Sequence, residues 1–330
     1  MRKVSLLFCC AVMMALSLSA RTSSGKEAGI VSRYGQLKVV KSQLCDSNGN
    51  PVCLRGVSSH GLQWNPFQKG TITNLVKEWK ITVVRAAMYT DENGYIANPA
   101  MMKERLKLIV DEAIENDIYV LIDWHILREN DPNKYRKESI AFFTEMAKTY
   151  GNLPNVIYEI CNEPNGSNVS WLEQVSPYAN TLIASIRAID PDNIIIVGTD
   201  NFCQGVEIAS ELPLKGNNIM YALHFYAGSH GETLRDAADS ALEKGLPLFV
   251  SECGLTDAAG DTGTNLEEAK AWFDWMNDKK ISWIVWSFSA HHEGSAMLVP
   301  GTELAGPWSD AQITSNGRWV KKKISESSPR

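Results

Sequence analysis

The chain has 330 residues, 44% of them apolar, and a formal net charge of −6 at pH 7. That length and apolar content suit one barrel-sized core or two small ones. The acidic balance argues against nucleic acid as a partner, since such binders carry a basic face. The one compact basic run, Lys321–Lys323, has no aromatic or glycine-rich context and reads as a solvated helix end.

The first twenty residues read as a secretory signal peptide. Arg2 and Lys3 precede an almost wholly apolar stretch from Val4 to Leu18, and the small residues Ser17, Ser19 and Ala20 follow. This predicts an exported, extracellular protein with no membrane association after cleavage, because no later segment is long and apolar enough to span a bilayer. Residues 21–32 read as a flexible leader, 33–326 as one catalytic domain and 327–330 as a tail. Five cysteines remain after the signal: Cys45, Cys53, Cys161, Cys203 and Cys253. An odd number leaves at least one free thiol. Cys45 and Cys53 flank Asp46–Asn50, a hairpin-turn sequence, so a cross-strand disulfide between them is a candidate in an oxidising compartment. Cys-x-x-Cys and Cys/His ligand spacings are missing, so no zinc site is expected.

From residue 52 onward, short β-branched runs alternate with amphipathic helical stretches. The expected strands are 52–60, 82–89, 119–125, 156–163, 193–198, 219–226, 248–254 and 283–289. The expected helices are 71–80, 99–117, 135–150, 171–189, 205–212, 234–244, 265–280 and 318–326. Eight strands alternating with eight helices is the pattern of an α/β (β/α)8 TIM barrel, here with a short N-terminal β-hairpin. A doubly wound open sheet would show a glycine-rich phosphate turn after an early strand, and none is present.

A barrel gathers its reactive side chains at the C-terminal ends of the strands. The second strand carries Arg85 and ends at Tyr89, the third ends Asp123-Trp124-His125, and the fourth ends Asn162-Glu163-Pro164. The sixth ends His224-Phe225-Tyr226, the seventh Ser251-Glu252-Cys253-Gly254, and the eighth carries Trp286. Strands four and seven face each other across a barrel, which sets Glu163 and Glu252 on opposite sides of a gap the width of a sugar. Glycosidic cleavage needs such a pair, one carboxyl protonated and the other ionised. Arg85 can hold the carboxylate of the seventh strand ionised. Asn162 can bond a sugar 2-hydroxyl, and His224 and Tyr226 can orient a carboxyl group. Trp64, Tyr89, Trp124, Phe202, Tyr226 and Trp286 fall at or just past strand ends, where aromatic rings can meet sugar faces, whereas Trp79, Trp272 and Trp275 lie in helices and read as core. Cys161 reads as a small buried residue below the site.

The segments 56–64 (GVSSHGLQW), 85–89 (RAAMY), 122–127 (IDWHIL), 155–165 (NVIYEICNEPN), 224–228 (HFYAG) and 251–254 (SECG) resemble glycoside hydrolase family 5, in particular its bacterial-type endo-β-1,4-glucanases, across residues 34–325. The resemblance implies a retaining double displacement with Glu163 as acid/base and Glu252 as nucleophile, no cofactor and no metal. It further implies that Arg85, His125, Asn162, His224, Tyr226 and Trp286 shape the central subsite, and that His60, Trp64 and Tyr89 bind glucan on the non-reducing side. The expected partner is a β-1,4-glucan, acted on by a monomer.

Four positions depart from the family pattern: Phe202 and His291 stand where a Trp and a Lys are usual, Cys253 replaces a Trp, and Val285 replaces an Asn. Glu293 of the His291 loop persists. These departures leave open cellulose derivatives, mixed-linkage glucan, glucomannan or xylan as the preferred chain. A non-catalytic carbohydrate-binding barrel would need a lost carboxylate, and a metal-dependent hydrolase would need a ligand framework that His125, His224, His291 and His292 do not form by spacing. Asn165 and Asn168 both begin N-glycosylation sequons, and Asn168 is expected to be the one used because Asn165 adjoins the Asn-Glu-Pro motif.

Overall fold

A computed structural model of the chain describes residues 29–261 and 263–326. The expected signal peptide, most of the leader and the tail lie outside the described residues. Two short strands, β1 (Lys38–Val40) and β2 (Gln43–Cys45), pair antiparallel in a separate hairpin. Eight further strands close a parallel barrel: β3 (Arg55–Ser59), β4 (Val83–Tyr89), β5 (Tyr119–His125), β6 (Val156–Glu159), β7 (Ile195–Gly198), β8 (Ile219–Tyr226), β9 (Leu248–Gly254) and β10 (Trp283–Phe288). Each pairs with its neighbour in sequence, and β10 closes against β3. Every residue of β4, β5, β8, β9 and β10 is buried. Strands covered on both faces explain runs that are apolar throughout rather than alternating.

The helices differ from expectation mainly at their ends. The 71–80 segment begins as α-helix (Thr71–Asn74) and continues as a π-turn (Leu75–Trp79), and the 171–189 segment does the reverse, with a π-turn at Trp171–Val175 before Ser176–Arg187. Ser170 caps the latter by accepting from Glu173 N, and Pro177, which has no N–H to donate, follows directly on the π-turn. Strand β6 ends at Glu159, four residues short of expectation. Beyond it the chain keeps single bonds, from Asn162 N to Trp124 O and from Glu163 N to Ile126 O, until Pro164, which has no N–H to donate.

Two expectations for the N-terminal region are corrected. Residues 30–32, read as leader, belong to a short helix (Ile30–Tyr34) whose Ile30 and Val31 are buried and whose backbone bonds to Asp117. The disulfide between Cys45 and Cys53 is absent. The hairpin closes one turn earlier than expected, at Lys41 (φ 56°), and the Asp46–Asn50 turn instead sets Cys45 opposite Pro51. That register leaves Cys53 two residues past Cys45's partner. Its thiol donates to Ile281 O at 3.0 Å, and all five described cysteines are free.

Three breaks of register shape the barrel's C-terminal end. Between Ala222↔Phe249 and His224↔Glu252, β9 advances one residue more than β8, and it does the same against β10. The β10 strand in turn gains one residue on β3 between Val285 and Phe288. Bulges of this kind bend a strand and re-aim a side chain. Here they fall beside Glu252 and Trp286.

Candidate active site

Arg85 is the centre of the site and is wholly buried. Its guanidinium is enclosed by acceptors. Nε donates to Glu159 Oε2 at 2.6 Å, Nη1 to Glu252 Oε2 at 2.8 Å and Nη2 to Asn162 Oδ1 at 2.6 Å, with Asp123 Oδ2 at 3.0 Å from Nη2. A planar fork of donors suits this geometry in a way a lysine could not. The cage is built by strand alternation. Arg85 is on β4, Asp123 on β5, and Glu159 on β6 lies an even four residues before Glu163 on the inward face.

Glu252 is held at both oxygens, Oε2 by Arg85 and Oε1 by the Tyr226 hydroxyl at 2.6 Å. Burial pushes its pKa up, but the Arg85 guanidinium, the His224 charge and the Tyr226 bond outweigh it, and the carboxyl is held below its usual range. Tyr226 can lean this close because residue 254 is glycine, since a Cβ there would lie 2.4 Å from the tyrosine ring. Glu163 has the opposite environment. Burial raises its pKa and the neighbouring Glu252 charge adds to the rise, only partly offset by His224. His224 Nδ1 meets Glu163 Oε1 at 2.8 Å, and Nε2 meets Ser251 Oγ at 2.9 Å, with Glu159 Oε1 3.8 Å away. Burial lowers the imidazole's pKa, but its bonds to Glu159 and Glu163 prevail and push it up to about 9. One oxygen of Glu163, one of Glu252 and a His224 nitrogen lie within 4.8 Å of one another.

His125 is neutral, its pKa lowered to about 3 by burial and by the Arg85 charge. Its Nδ1 lies 2.6 Å from Asp123 Oδ2, and its ring meets Tyr89 (centroids 4.1 Å) and stacks on Trp286 (5.3 Å). Asn162, oriented by Arg85, turns its amide nitrogen to Ile126 O at 3.0 Å and to His125 Nε2 at 3.3 Å.

Tyr89, His125, Glu163, His224, Tyr226, Glu252 and Trp286 line a cleft of about 620 Å³ whose walls include His60, Phe202 and Glu293, and Arg85 with its other acceptors is buried beneath them. Trp64, 42% exposed, edges onto Tyr89 and His60 at one end. Phe202, 41% exposed, stands at its own part of the wall on three successive left-handed residues, Asn201, Phe202 and Cys203 (φ 51°, 56° and 59°). The turn is pinned by Cys203 Sγ donating to Asn162 O at 2.8 Å and Phe202 N to Pro164 O at 3.1 Å. Left-handed backbone at a bulky residue is strained, and such strain collects at functional sites.

The structure therefore brings together His125, Glu163, His224, Tyr226, Glu252, Tyr89, Trp286, His60, Phe202 and Glu293 in one cleft, with Arg85 and Asn162 buried directly behind the two carboxyl groups. His291 is exposed and stands outside the cleft wall, its ring 4.9 Å from that of His60. Trp124 is not an accessible platform. It is fully buried among Tyr95, Phe142 and Phe143, because Asp123 and His125 take the inward positions and leave it outward. Glu159 and Ser251 are the residues that motif reading missed. The signal for Glu159 was legible: a carboxylate inside an otherwise apolar central strand, in phase with Glu163. Asn165 is buried with its amide donating to Leu127 O and Glu163 O, whereas Asn168 is exposed.

A family model described as cellulase (glycosyl hydrolase family 5) matches residues 45–292. The chain belongs to this cellulase family. It is 50% identical over 315 residues to an endoglucanase from Clostridium saccharobutylicum, covering 95% of this chain and 70% of that one. Endoglucanase A of Evansella cellulosilytica is 46% identical over 329 residues, covering 99% of this chain and 67% of that one. The chain thus spans about two thirds of the length of these curated relatives. Among solved structures, the catalytic domain of Thermobifida fusca endoglucanase Cel5A in complex with cellotetraose aligns with a TM-score of 0.85 at 37% identity, covering 89% of this chain and 99% of that one. The family resemblance read from the strand-end motifs and the TIM-barrel fold both hold.

Proposed function

We propose that this cellulase-family enzyme acts as an endo-β-1,4-glucanase in which Glu252 is the nucleophile and Glu163 the acid/base. Family membership and the endoglucanase relatives that align over nearly the whole chain support the activity. One observation carries the division of roles: two carboxyl groups, each with an oxygen within 4.8 Å of one on the other, have opposite electrostatic surroundings. That proximity favours the close spacing of retaining enzymes, about 5–5.5 Å between carboxyl groups, over the wider 6.5–9.5 Å that leaves room for an inverting water.

In the first step a Glu252 oxygen attacks the anomeric carbon, the bond to the leaving sugar oxygen breaks, and the proton of Glu163 passes to that oxygen. Glu163 Oε1 is engaged by His224, which leaves Oε2 for this transfer. Developing negative charge on the departing oxygen is thereby neutralised, and Arg85 and Tyr226 keep Glu252 ionised until it attacks. In the second step Glu163, now ionised, takes a proton from water. The water oxygen bonds to the anomeric carbon, Glu252 is released, and the β configuration returns. Trp286, Trp64, Tyr89 and Phe202 offer ring faces to the C–H faces of the sugars, and Asn162 borders the position of the 2-hydroxyl. No cofactor enters this scheme. The protein is read as secreted and monomeric, acting on β-1,4-glucan. Among the described residues no helix is long and apolar enough to cross a membrane.

The test separates the two carboxyls. With an aryl β-cellobioside whose leaving group needs no protonation, Glu163→Gln should still release the aryl group in a burst while turning over slowly. Glu252→Gln should release none. Equal loss in both variants would overturn the assignment of roles. A hydrolysis panel on soluble cellulose, mixed-linkage glucan, glucomannan and xylan identifies the polymer, on which the departures at Phe202 and His291 bear.

A further inference from the structure

At the Trp64–Trp286 end of the cleft, His60 is 5% exposed yet poorly satisfied. Its Nδ1 has no hydrogen-bond partner, and its Nε2 lies 3.4 Å from Glu293 Oε2. That is long for an imidazole–carboxylate hydrogen bond, for which about 2.7–2.9 Å is usual. It is instead close to the edge of a zinc tetrahedron, about 3.3–3.4 Å for bonds of 2.0–2.1 Å. His291 completes the group, because one ligand-capable atom from each of His60, His291 and Glu293 lies within 4.8 Å of the other two. Glu293 is positioned from behind by Ser295 Oγ at 2.7 Å, and His291 is exposed on the loop after β10. Sequence spacing hides this set, because the fold joins residues 60 and 291 across the β3–β10 seam.

We infer that His60, His291 and Glu293 form a binding site for a divalent transition cation of the zinc or copper class, and that the ion and glucan exclude one another at this end of the cleft. Two imidazoles and one carboxylate favour such ions over magnesium or calcium, which prefer all-oxygen shells. Ligation through His60 Nε2, the nitrogen that faces Glu293, in place of that long contact removes no good hydrogen bond. The ion would stand against both tryptophans, since the His60 ring is 5.5 Å from Trp64 and 5.2 Å from Trp286. The exclusion of glucan rests on the proposed use of those rings as sugar platforms.

Titration calorimetry of the full chain with Zn²⁺ in a non-chelating buffer tests the site. The expected result is one Zn²⁺ per chain, unaffected by Glu163→Gln and about 100-fold weaker in His291→Ala, since loss of an outer-shell partner alone costs 10–100-fold. His291→Lys should behave like His291→Ala, because a protonated amine does not ligate. No Zn²⁺ uptake by the unmodified chain would overturn the proposal. So would binding that survives His291→Ala and is lost in Glu163→Gln, because the ion would then sit between Glu163, His224 and Glu252. Zn²⁺ should also raise KM for soluble glucan with little change in kcat, and this effect should vanish in His291→Ala when each variant is compared with itself without zinc. Zinc binding that is lost in His291→Ala but indifferent to a glucan oligosaccharide would overturn the exclusion and, with it, the sugar-platform reading of this end.

Discussion

The floor and the rim of the cleft are built on different principles. On the floor, Arg85 is locked by Glu159, Asn162, Asp123 and Glu252, and each acceptor is fixed to a strand or to the turn that follows one. On the rim, Phe202 and Trp64 are more than 40% exposed, His291 is exposed, and their hold on the scaffold is a few loop contacts. All departures from the family pattern avoid the floor's charged network: Phe202 and His291 are on the rim, and Cys253 and Val285 point away into the core. A closed network of charges tolerates no single change, because each member's removal strands another in a medium of low dielectric. The rim can vary one ring at a time, so the bond that is cut and the chain that is preferred are specified by separable sets of residues.

The sharpest break of this contrast is Glu252→Gln. It keeps the shape of the floor and should cost on the order of 10⁴-fold or more in kcat on glucan, with an unchanged circular dichroism spectrum. Next is Arg85→Met, which leaves Glu159 and Glu252 buried without their cation. Denaturant unfolding should show a loss of about 3–5 kcal/mol at neutral pH. The pH dependence has a definite sign. Arg85 holds both carboxyls low, Glu159 at about 2, against burial that raises them. The stability they contribute is present above the unfolded carboxylate pKa and fades as pH falls through the folded values. The gap between the unmodified protein and Arg85→Met should therefore narrow toward acid. A gap that is flat with pH would mean that lost packing, and not lost charge, is responsible.

A smaller effect is expected from His224→Ala. Activity requires Glu252 ionised and Glu163 protonated, so the acid limb of kcat/KM follows the lowered carboxyl and the alkaline limb the raised one. His224 acts to lower Glu163, and its removal should shift the alkaline limb to higher pH. An unmoved alkaline limb would detach Glu163 from it. The mildest change is on the rim. Phe202→Ala should raise KM for glucan by about 2- to 12-fold, corresponding to about 0.5–1.5 kcal/mol of ring contact, and leave kcat nearly intact. A loss of kcat as large as that in Glu163→Gln would erase the distinction between floor and rim.

The barrel and the catalytic end were legible because period and position carried them. Parallel strands buried on both faces read as continuous apolar runs; Arg85 breaks one from within, and Asn162, Glu163 and Glu252 stand at or just past the ends of others. What stayed hidden depended on contacts without a local signature. The register gains in β9 and β10, which aim Glu252 and Trp286, arise from pairing between strands and not from either sequence alone. Trp124 was misplaced because its aromatic chemistry suggested a platform, while the alternation set by Asp123 and His125 sends it outward. The disulfide failed because a turn sequence specifies a reversal but not the register of the residues beyond it. The left-handed turn at Asn201–Cys203 had no glycine to announce it.

The division of labour between Glu163 and Glu252 is the central claim, and product stereochemistry tests it most directly. Proton NMR of a soluble cello-oligosaccharide digest, recorded within the first minutes, should show the β-anomer of the new reducing end appearing first and the α-anomer growing in only by mutarotation. Immediate appearance of the α-anomer would mean direct attack by water, and would contradict a covalent intermediate on Glu252.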